Sequence, residues 1–125
     1  MEKTNKKKIL LAEDERSISR ALKLKLELSG FEIELAANGE EALDILKTKK
    51  FDLLLLDIMM PKVDGFSVME EMKKRKDKTP IIVLSNLSQE EDAKRAENLG
   101  AIDFCIKSNS SLAEIIDKIK KFLKV

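Results

Sequence analysis

Side chains suited to phosphoryl transfer follow four of the five short apolar runs in this sequence. Glu13 and Asp14 follow the first run, Asp57 the third, Ser85 the fourth and Lys107 the fifth. A carboxylate oxygen can attack phosphorus, while an ammonium, a hydroxyl and a divalent cation stabilise the transferred oxygens. Asp14 and Asp57 would repel each other unless a hard cation such as Mg²⁺ lay between them. Any one of these positions alone would more often be a helix cap or a solvated loop residue, but together they indicate phosphoryl transfer to Asp57.

The sequence around these residues predicts alternating strands and helices. Continuous apolar runs predict strands at residues 9–12, 53–56 and 81–84, and the mostly apolar stretch at 102–106 predicts another. Strict alternation predicts a half-exposed edge strand at 31–35. Helical spacing and capping signals predict five helices, one after each strand: from about Arg16 to Ser29, after the cap Asn38, from about Phe66 to Lys74, from the cap Ser88 to before Gly100, and after the cap Ser111.

The apolar spacing within the helices predicts which side chains face the core. In the first helix these are Ile18, Ala21, Leu22, Leu26 and Leu28. In the fourth helix they are the smaller Ala93, Ala96 and Leu99, so this helix should be held loosely. The alternation of elements predicts a doubly wound α/β sandwich with a parallel sheet. In such folds functional sites lie outside the carboxyl ends of the strands. The polar residues that follow the apolar runs should therefore lie close together there.

Composition narrows the possible functions. The 125 residues suit one domain, which we expect at residues 8–125 after a basic tail at residues 1–7. The 24 basic and 23 acidic residues nearly cancel, and Trp and Tyr are absent, so no direct binding of nucleic acid is expected. There is no His and a single Cys, at position 105, which we interpret as core packing. The first apolar run is too short for a leader or a membrane span, which predicts a cytoplasmic protein with no membrane insertion.

The sequence resembles the response-regulator receiver family (CheY-like) across essentially residues 7–125. The most specific segment is Asp52–Pro61, with its strand, Asp57 and Met-Pro, followed by Asp64-Gly65. The remaining matches fall in the right order and spacing: Glu13-Asp14, Ser85, Gly100-Ala101, Phe104 and Lys107.

The resemblance implies a flavodoxin-like (βα)5 fold with a five-stranded parallel sheet in the order 2-1-3-4-5. It implies that Asp57 accepts a phosphoryl group from a sensor histidine kinase, a phosphotransfer protein or a small phosphodonor, with Lys107 and Ser85 assisting. It implies Mg²⁺ bound by Asp14, Asp57 and the carbonyl of Met59, with Glu13 helping through water. Ser85 and Phe104 would be the switch pair. The fourth helix, fifth strand and fifth helix would form the output surface, and catalysis would be limited to the chain's own phosphorylation and dephosphorylation.

Four positions depart from the family pattern. Lys62 stands where Gly is frequent, Asn86 where a small residue is usual, Phe104 where Tyr is commoner, and Ser108 where Pro usually follows the lysine. The Lys-Pro bond is typically cis in the family, and cis costs about 2.5–4 kcal/mol before residues other than Pro. We therefore expect the Lys107–Ser108 bond to be trans.

Other functions fit the sequence less well. A phosphatase of the haloacid-dehalogenase type needs a second Asp two residues after the nucleophile, where this chain has Met59. A flavin carrier of similar fold needs a Ser-, Thr- or Gly-rich loop after the first strand, where Glu13-Asp14-Glu15 stands. A receiver-like docking module independent of phosphate stays open, as does the question of whether the domain acts alone or within a longer regulator. A phosphodonor assay separates docking from phosphorylation.

Overall fold

Five strands form one parallel sheet in the order β2-β1-β3-β4-β5 in this computed structural model, which describes residues 6–60, 62–85, 90–107 and 111–124. The strands are β1 (Lys8–Ala12), β2 (Glu32–Ala36), β3 (Leu53–Asp57), β4 (Ile81–Ser85) and β5 (Asp103–Ile106). The predicted strand order is therefore confirmed. All residues of β3 and β4 are buried, as their unbroken apolar runs predict. The predicted edge strand, β2, lies at one margin of the sheet.

One helix follows each strand, and the helices cover both faces of the sheet. They are α1 (Arg16–Leu28), α2 (Gly39–Thr48), α3 (Gly65–Lys74), α4 (Glu90–Asn98) and α5 (Leu112–Leu123). Buried residues of α2, α3 and α4 share a core cluster with one face of the sheet. Those of α1 and α5 pack with the other face. The predicted doubly wound α/β sandwich is confirmed, and no helix in the described ranges is long and apolar enough to cross a bilayer.

Local capping interactions begin three of the helices, two of them at the predicted caps Asn38 and Ser111 and the third at Asp64. The side chain of Asn38 accepts a hydrogen bond from the Glu41 amide at 2.8 Å, and that of Asp64 from the Ser67 amide at 2.8 Å. Ser111 and Glu114 form the predicted reciprocal capping box at the start of α5. These bonds satisfy amide groups that the first turn of a helix leaves without partners.

The prediction that Leu28 faces the core is wrong. Its side chain is 78% exposed, and Leu24, one turn earlier, is 58% exposed. Leu22 and Leu26 are fully buried. Because each residue advances about 100° around a helix, positions 24 and 28 lie roughly 200° from positions 22 and 26. The long apolar side chain of Leu28 suggested burial, but its position on the helix places it on the solvent face.

Several predictions concern residues outside the described ranges. These are the tail apart from residues 6 and 7, the cap at Ser88 and the trans Lys107–Ser108 bond; Asn86, one of the four departures from the family pattern, also lies there. They stay predictions.

Replacing Leu26 with Ala should lower the free energy of unfolding by about 2–5 kcal/mol, because a fully buried leucine leaves a cavity. Leu28→Ala provides the matched control on the same helix and should change it by less than about 0.5 kcal/mol. Urea denaturation followed by circular dichroism measures both. Similar losses for the two variants would contradict the assignment of the buried face of α1.

Candidate functional site

The carboxyl ends of β1, β3, β4 and β5 bring the polar residues named by the sequence to one edge of the sheet. Asp57 pairs in register with Leu84, so Ser85 lies one residue further along the neighbouring strand. The next strand continues the edge, because the Lys107 amide donates to the Ser85 carbonyl at 2.8 Å. Parallel strands thus place residues that are far apart in sequence beside one another.

A buried ion-pair cluster occupies the centre of this edge. The Lys107 ammonium lies 2.6 Å from Oε1 of Glu13 and 3.3 Å from Oδ2 of Asp57. Glu13 and Asp57 are each only 3% exposed. The other oxygen of Glu13, Oε2, accepts a hydrogen bond from the Glu15 amide at 3.0 Å. One ammonium therefore serves two buried carboxylates.

Burial and like charge make the ionised form of Asp57 unfavourable in this cluster. They raise its pKa to about 7, first through loss of solvent and then through the charge of Glu13, against the opposing effect of Lys107. Burial alone would lower the pKa of Lys107, but its contacts with Glu13 and Asp57 raise it instead. Lys107 therefore stays charged at neutral pH, while Asp57 is only partly ionised in this arrangement.

The carboxylates are close enough together to share a cation. One oxygen from each of Glu13, Asp14 and Asp57 lies within 4.8 Å of the others, and Asp14 faces solvent. Oε1 of Glu13 is buried and has the Lys107 ammonium, 2.6 Å away, as its partner. Three carboxylates facing one ammonium leave an excess of negative charge. A hard divalent cation with oxygen ligands fits this donor set.

The other predicted residues lie around the cluster rather than in it. Ser85 is fully buried at the end of β4. The Met59 amide donates to Oδ1 of Asp57 at 3.2 Å, while the Met59 side chain is 58% exposed. Phe104 lies further from the cluster, partly buried beside α4, where it lines a groove of about 250 Å³. The acidic cluster and Phe104 are thus separate features of the surface.

Two glycines allow the loops beside Asp57 to pack closely. The Gly65 amide donates to the Ile58 carbonyl at 2.8 Å, and a Cβ at Gly65 would lie 2.7 Å from the Asp57 carbonyl oxygen. A Cβ at Gly39 would overlap the Val63 carbonyl. Gly65 is part of the Asp-Gly motif noted in the sequence, but nothing in the sequence pattern marks Gly39, because its constraint comes from a loop distant in sequence.

The backbone of the loop after Met60 explains why the family often has glycine at the position of Lys62. Lys62 has φ 69°, a left-handed conformation that favours glycine because a Cβ crowds the backbone there. Glycine is frequent at this position in the family that the sequence resembles. The loop keeps that conformation although lysine has replaced glycine.

Comparisons with known proteins agree with the resemblance. A family model for the response regulator receiver domain matches residues 9–120. The chain is 42% identical over 120 residues to the probable transcriptional regulator ycf27 of Cyanophora paradoxa. It is 39% identical over 118 residues to the alkaline phosphatase synthesis transcriptional regulatory protein PhoP of Bacillus subtilis. These alignments cover 96% and 94% of this chain but 49% of each relative, so the chain spans about half the length of the curated relatives it matches.

Solved structures show the same fold. The receiver domain of Francisella response regulator 1452 superposes with a TM-score of 0.89 at 32% identity, covering 94% of this chain and 97% of that one. The response regulator TrrA of Thermotoga maritima, solved in complex with Mg²⁺ and BeF, superposes with a TM-score of 0.80 at 35% identity, covering 92% and 97%.

Replacing Asp57 with Asn should stabilise the protein in the absence of divalent cations. The pKa of Asp57 is about 7 in the folded protein and about 3.9 in an unfolded chain, so its charge costs stability. This cost grows as pH rises from about 4 and is fully present above pH 7. With EDTA present, the variant should gain about 2 kcal/mol in unfolding free energy at pH 8 and less at pH 5.

Urea denaturation at the two pH values measures this gain. Asp44→Asn is the control, because the Asp44 side chain is 70% exposed on α2 and should change little at either pH. A gain that is larger at pH 5 than at pH 8 would contradict the electrostatic account.

Proposed function

The chain belongs to the response regulator receiver family, and from this membership we propose that Asp57 accepts a phosphoryl group in a Mg²⁺-dependent reaction. The observation that carries the proposal is the position of Asp57: buried, 3.3 Å from the Lys107 ammonium and within 4.8 Å of two further carboxylates. A carboxylate in this setting can act as a nucleophile while cations beside it stabilise the incoming phosphoryl oxygens.

In the proposed reaction, one Asp57 carboxylate oxygen forms a bond to phosphorus. The bond from phosphorus to the donor breaks, and its electron pair leaves with the donor group. Lys107, now in contact with Glu13 and Asp57, would donate to a phosphoryl oxygen, and Ser85 would donate to another. The Met59 amide, bonded to Oδ1, would keep the Asp57 carboxylate oriented during attack.

Mg²⁺ would neutralise charge on the carboxylates and on the phosphoryl oxygens. We propose that Asp14, Asp57 and the Met59 carbonyl hold it, with Glu13 contributing through water. The buried Glu13 is also paired with Lys107 at 2.6 Å, a role that the sequence did not indicate. Glu13 would therefore position the lysine as well as add negative charge near the metal.

The proposed phosphoryl donor is a sensor histidine kinase, a phosphotransfer protein or a small phosphodonor, and the proposed location is the cytoplasm. We propose residues 8–125 as the receiver domain and residues 1–7 as its tail. The chain would catalyse only its own phosphorylation and dephosphorylation, and the outcome would be altered binding of an output protein.

The proposed switch acts through α4. Within Glu90–Asn98, Ala96 is the one buried residue, so little apolar area holds the helix in place. Two polar contacts tie it to α3: the Arg95 guanidinium lies 4.1 Å from the centre of the Phe66 ring and 3.6 Å from Glu70. Phosphorylation would turn Ser85 towards the phosphoryl group, leaving space for Phe104 to bury and for α4 to shift. The output surface would comprise α4, β5 and α5.

Acetyl phosphate with Mg²⁺ should add one phosphoryl group to the wild-type chain, and Asp57→Asn should receive none. Intact-protein mass spectrometry measures the addition, with EDTA replacing Mg²⁺ in a parallel sample that should stay unmodified. Asp52→Asn is a matched control, because Asp52 lies at the opposite end of the same strand and accepts a hydrogen bond from the Lys8 amide. Modification of Asp57→Asn at the wild-type level would rule out the assignment. An unmodified wild-type chain would favour a docking module instead.

Replacing Arg95 with Ala should strengthen beryllofluoride binding by about two- to fivefold. The contact with Phe66 contributes about 0.5–1 kcal/mol to the present position of α4, and its loss makes movement of the helix easier. NMR titration of residues 96–106 gives the affinity. Lys94→Ala, an exposed neighbour on the same helix, should leave it unchanged. Unchanged or weaker binding by Arg95→Ala would show that this contact does not restrain the switch.

A further inference from the structure

A basic groove crosses the end of the sheet at which the strands begin, opposite the end that carries the acidic cluster. Its central depression, about 620 Å³, lies among the loops that precede β3 and β4. Of its eleven lining residues six are basic and one is acidic, and the basic ones are Lys47, Lys49, Lys50, Arg75, Lys76 and Lys78. A depression of about 370 Å³ beside β2 shares Lys49 and Lys50 with it but is also lined by Glu32 and Glu34, so the positive charge is concentrated in the central depression. Another of about 400 Å³ towards α5 shares Lys76, Asp77 and Lys78.

The near-zero net charge of the chain conceals the fact that acidic and basic side chains collect at opposite ends of the sheet. Overall the charge is +1, from 24 basic and 23 acidic residues. At the carboxyl edge, however, Glu13, Asp14 and Asp57 cluster around Lys107, whereas the opposite edge is strongly basic. A parallel sheet with one helix after each strand places all strand starts at one end, so basic residues from several loops gather there.

Helix ends and ion pairs explain only part of this basic surface. Lys47 lies in the last turn of α2, where a cation is favoured by the helix dipole. Lys49 is paired with Glu34 at 2.9 Å, and Arg75 with Glu71 at 3.2 Å.

Three further lysines, Lys50, Lys76 and Lys78, follow the helices and are exposed. None of them lies within 4 Å of a carboxylate among the residues the structure describes. The single acid in the central depression, Asp77, already accepts hydrogen bonds from the Thr79 amide and hydroxyl, at 3.0 and 2.7 Å. These lysines concentrate positive charge that the fold does not neutralise.

We propose that this groove binds the sugar–phosphate backbone of a double-stranded nucleic acid without sequence preference. Lysine ammonium groups on flexible stems suit a row of phosphates, and they give affinity rather than base recognition. Single strands are a poorer match, because the chain has no Trp or Tyr and Phe51 in the groove is half-buried. An anionic membrane is also a poorer match, because the central depression is concave and its described lining has no exposed aromatic side chain to anchor it in a lipid plane. The exposed Phe122 lines only the depression towards α5. The near-zero net charge of the sequence predicts no direct binding of nucleic acid. The proposal differs from that expectation because the net charge sums the acidic and the basic ends of the sheet.

Binding should be measured by fluorescence anisotropy with a labelled 20-base-pair DNA duplex of mixed sequence, in EDTA, from 25 to 200 mM KCl. About five phosphate contacts would give a slope of about −4 to −5 in a plot of log affinity against log salt. The triple variant Lys50→Glu/Lys76→Glu/Lys78→Glu should bind at least tenfold more weakly at 50 mM salt, with a slope shallower by about 3.

A charge-matched triple variant, Arg20→Glu/Lys94→Glu/Lys62→Glu, changes the net charge equally on other surfaces and should lose much less affinity. Both triple variants should keep the wild-type circular dichroism spectrum, which separates lost binding from unfolding. Equal losses in the two variants, or no wild-type binding at 25 mM salt, would overturn the proposal. Co-sedimentation with vesicles of phosphatidylcholine and 30% phosphatidylserine supplies the lipid comparison, and stronger binding to vesicles than to the duplex would also overturn it.

Discussion

The shared use of one ammonium by two buried carboxylates is the interaction on which the rest of the site depends. Lys107 lies between Glu13 and Asp57, and without it two like charges would be buried side by side. Even with it, burial and the charge of Glu13 raise the pKa of Asp57 to about 7. The cluster is therefore short of positive charge, and this deficit is what makes it receptive to a divalent cation.

The surrounding backbone is built to hold this cluster at the edge of the sheet. The fully buried β3 and β4 fix the positions of Asp57 and Ser85, and a backbone hydrogen bond joins Lys107 to Ser85. Gly65 lets the following loop approach the Asp57 backbone, where any side chain would collide. A fully buried core thus supports a site in which burial disfavours the ionised form of Asp57, while α4, with Ala96 as its one buried residue, has less apolar contact to hold it.

The same topology separates charge across the whole domain. Strand ends carry the acidic cluster at one edge, while the loops that lead into the strands carry the lysines of the groove at the other. The two surfaces lie at opposite ends of the strands, so the acidic residues proposed for phosphoryl transfer and the lysines proposed to bind phosphates are kept apart. Because net charge is a sum over the whole chain, it does not reveal such an arrangement.

Periodicity, caps and buried apolar runs are local signals, so the elements, their order and the candidate site residues could be predicted from the sequence. Asn38, Ser111 and the runs in β3 and β4 needed no tertiary information. Other features depend on the distance between segments that are far apart in sequence, so they emerge only once the chain is folded. These are the pairing of Glu13 with Lys107, the contact of Gly39 with Val63 and the stacking of Arg95 on Phe66. The exposure of Leu28 does not belong with these, because its spacing from the buried Leu22 and Leu26 already places position 28 on the other side of the helix.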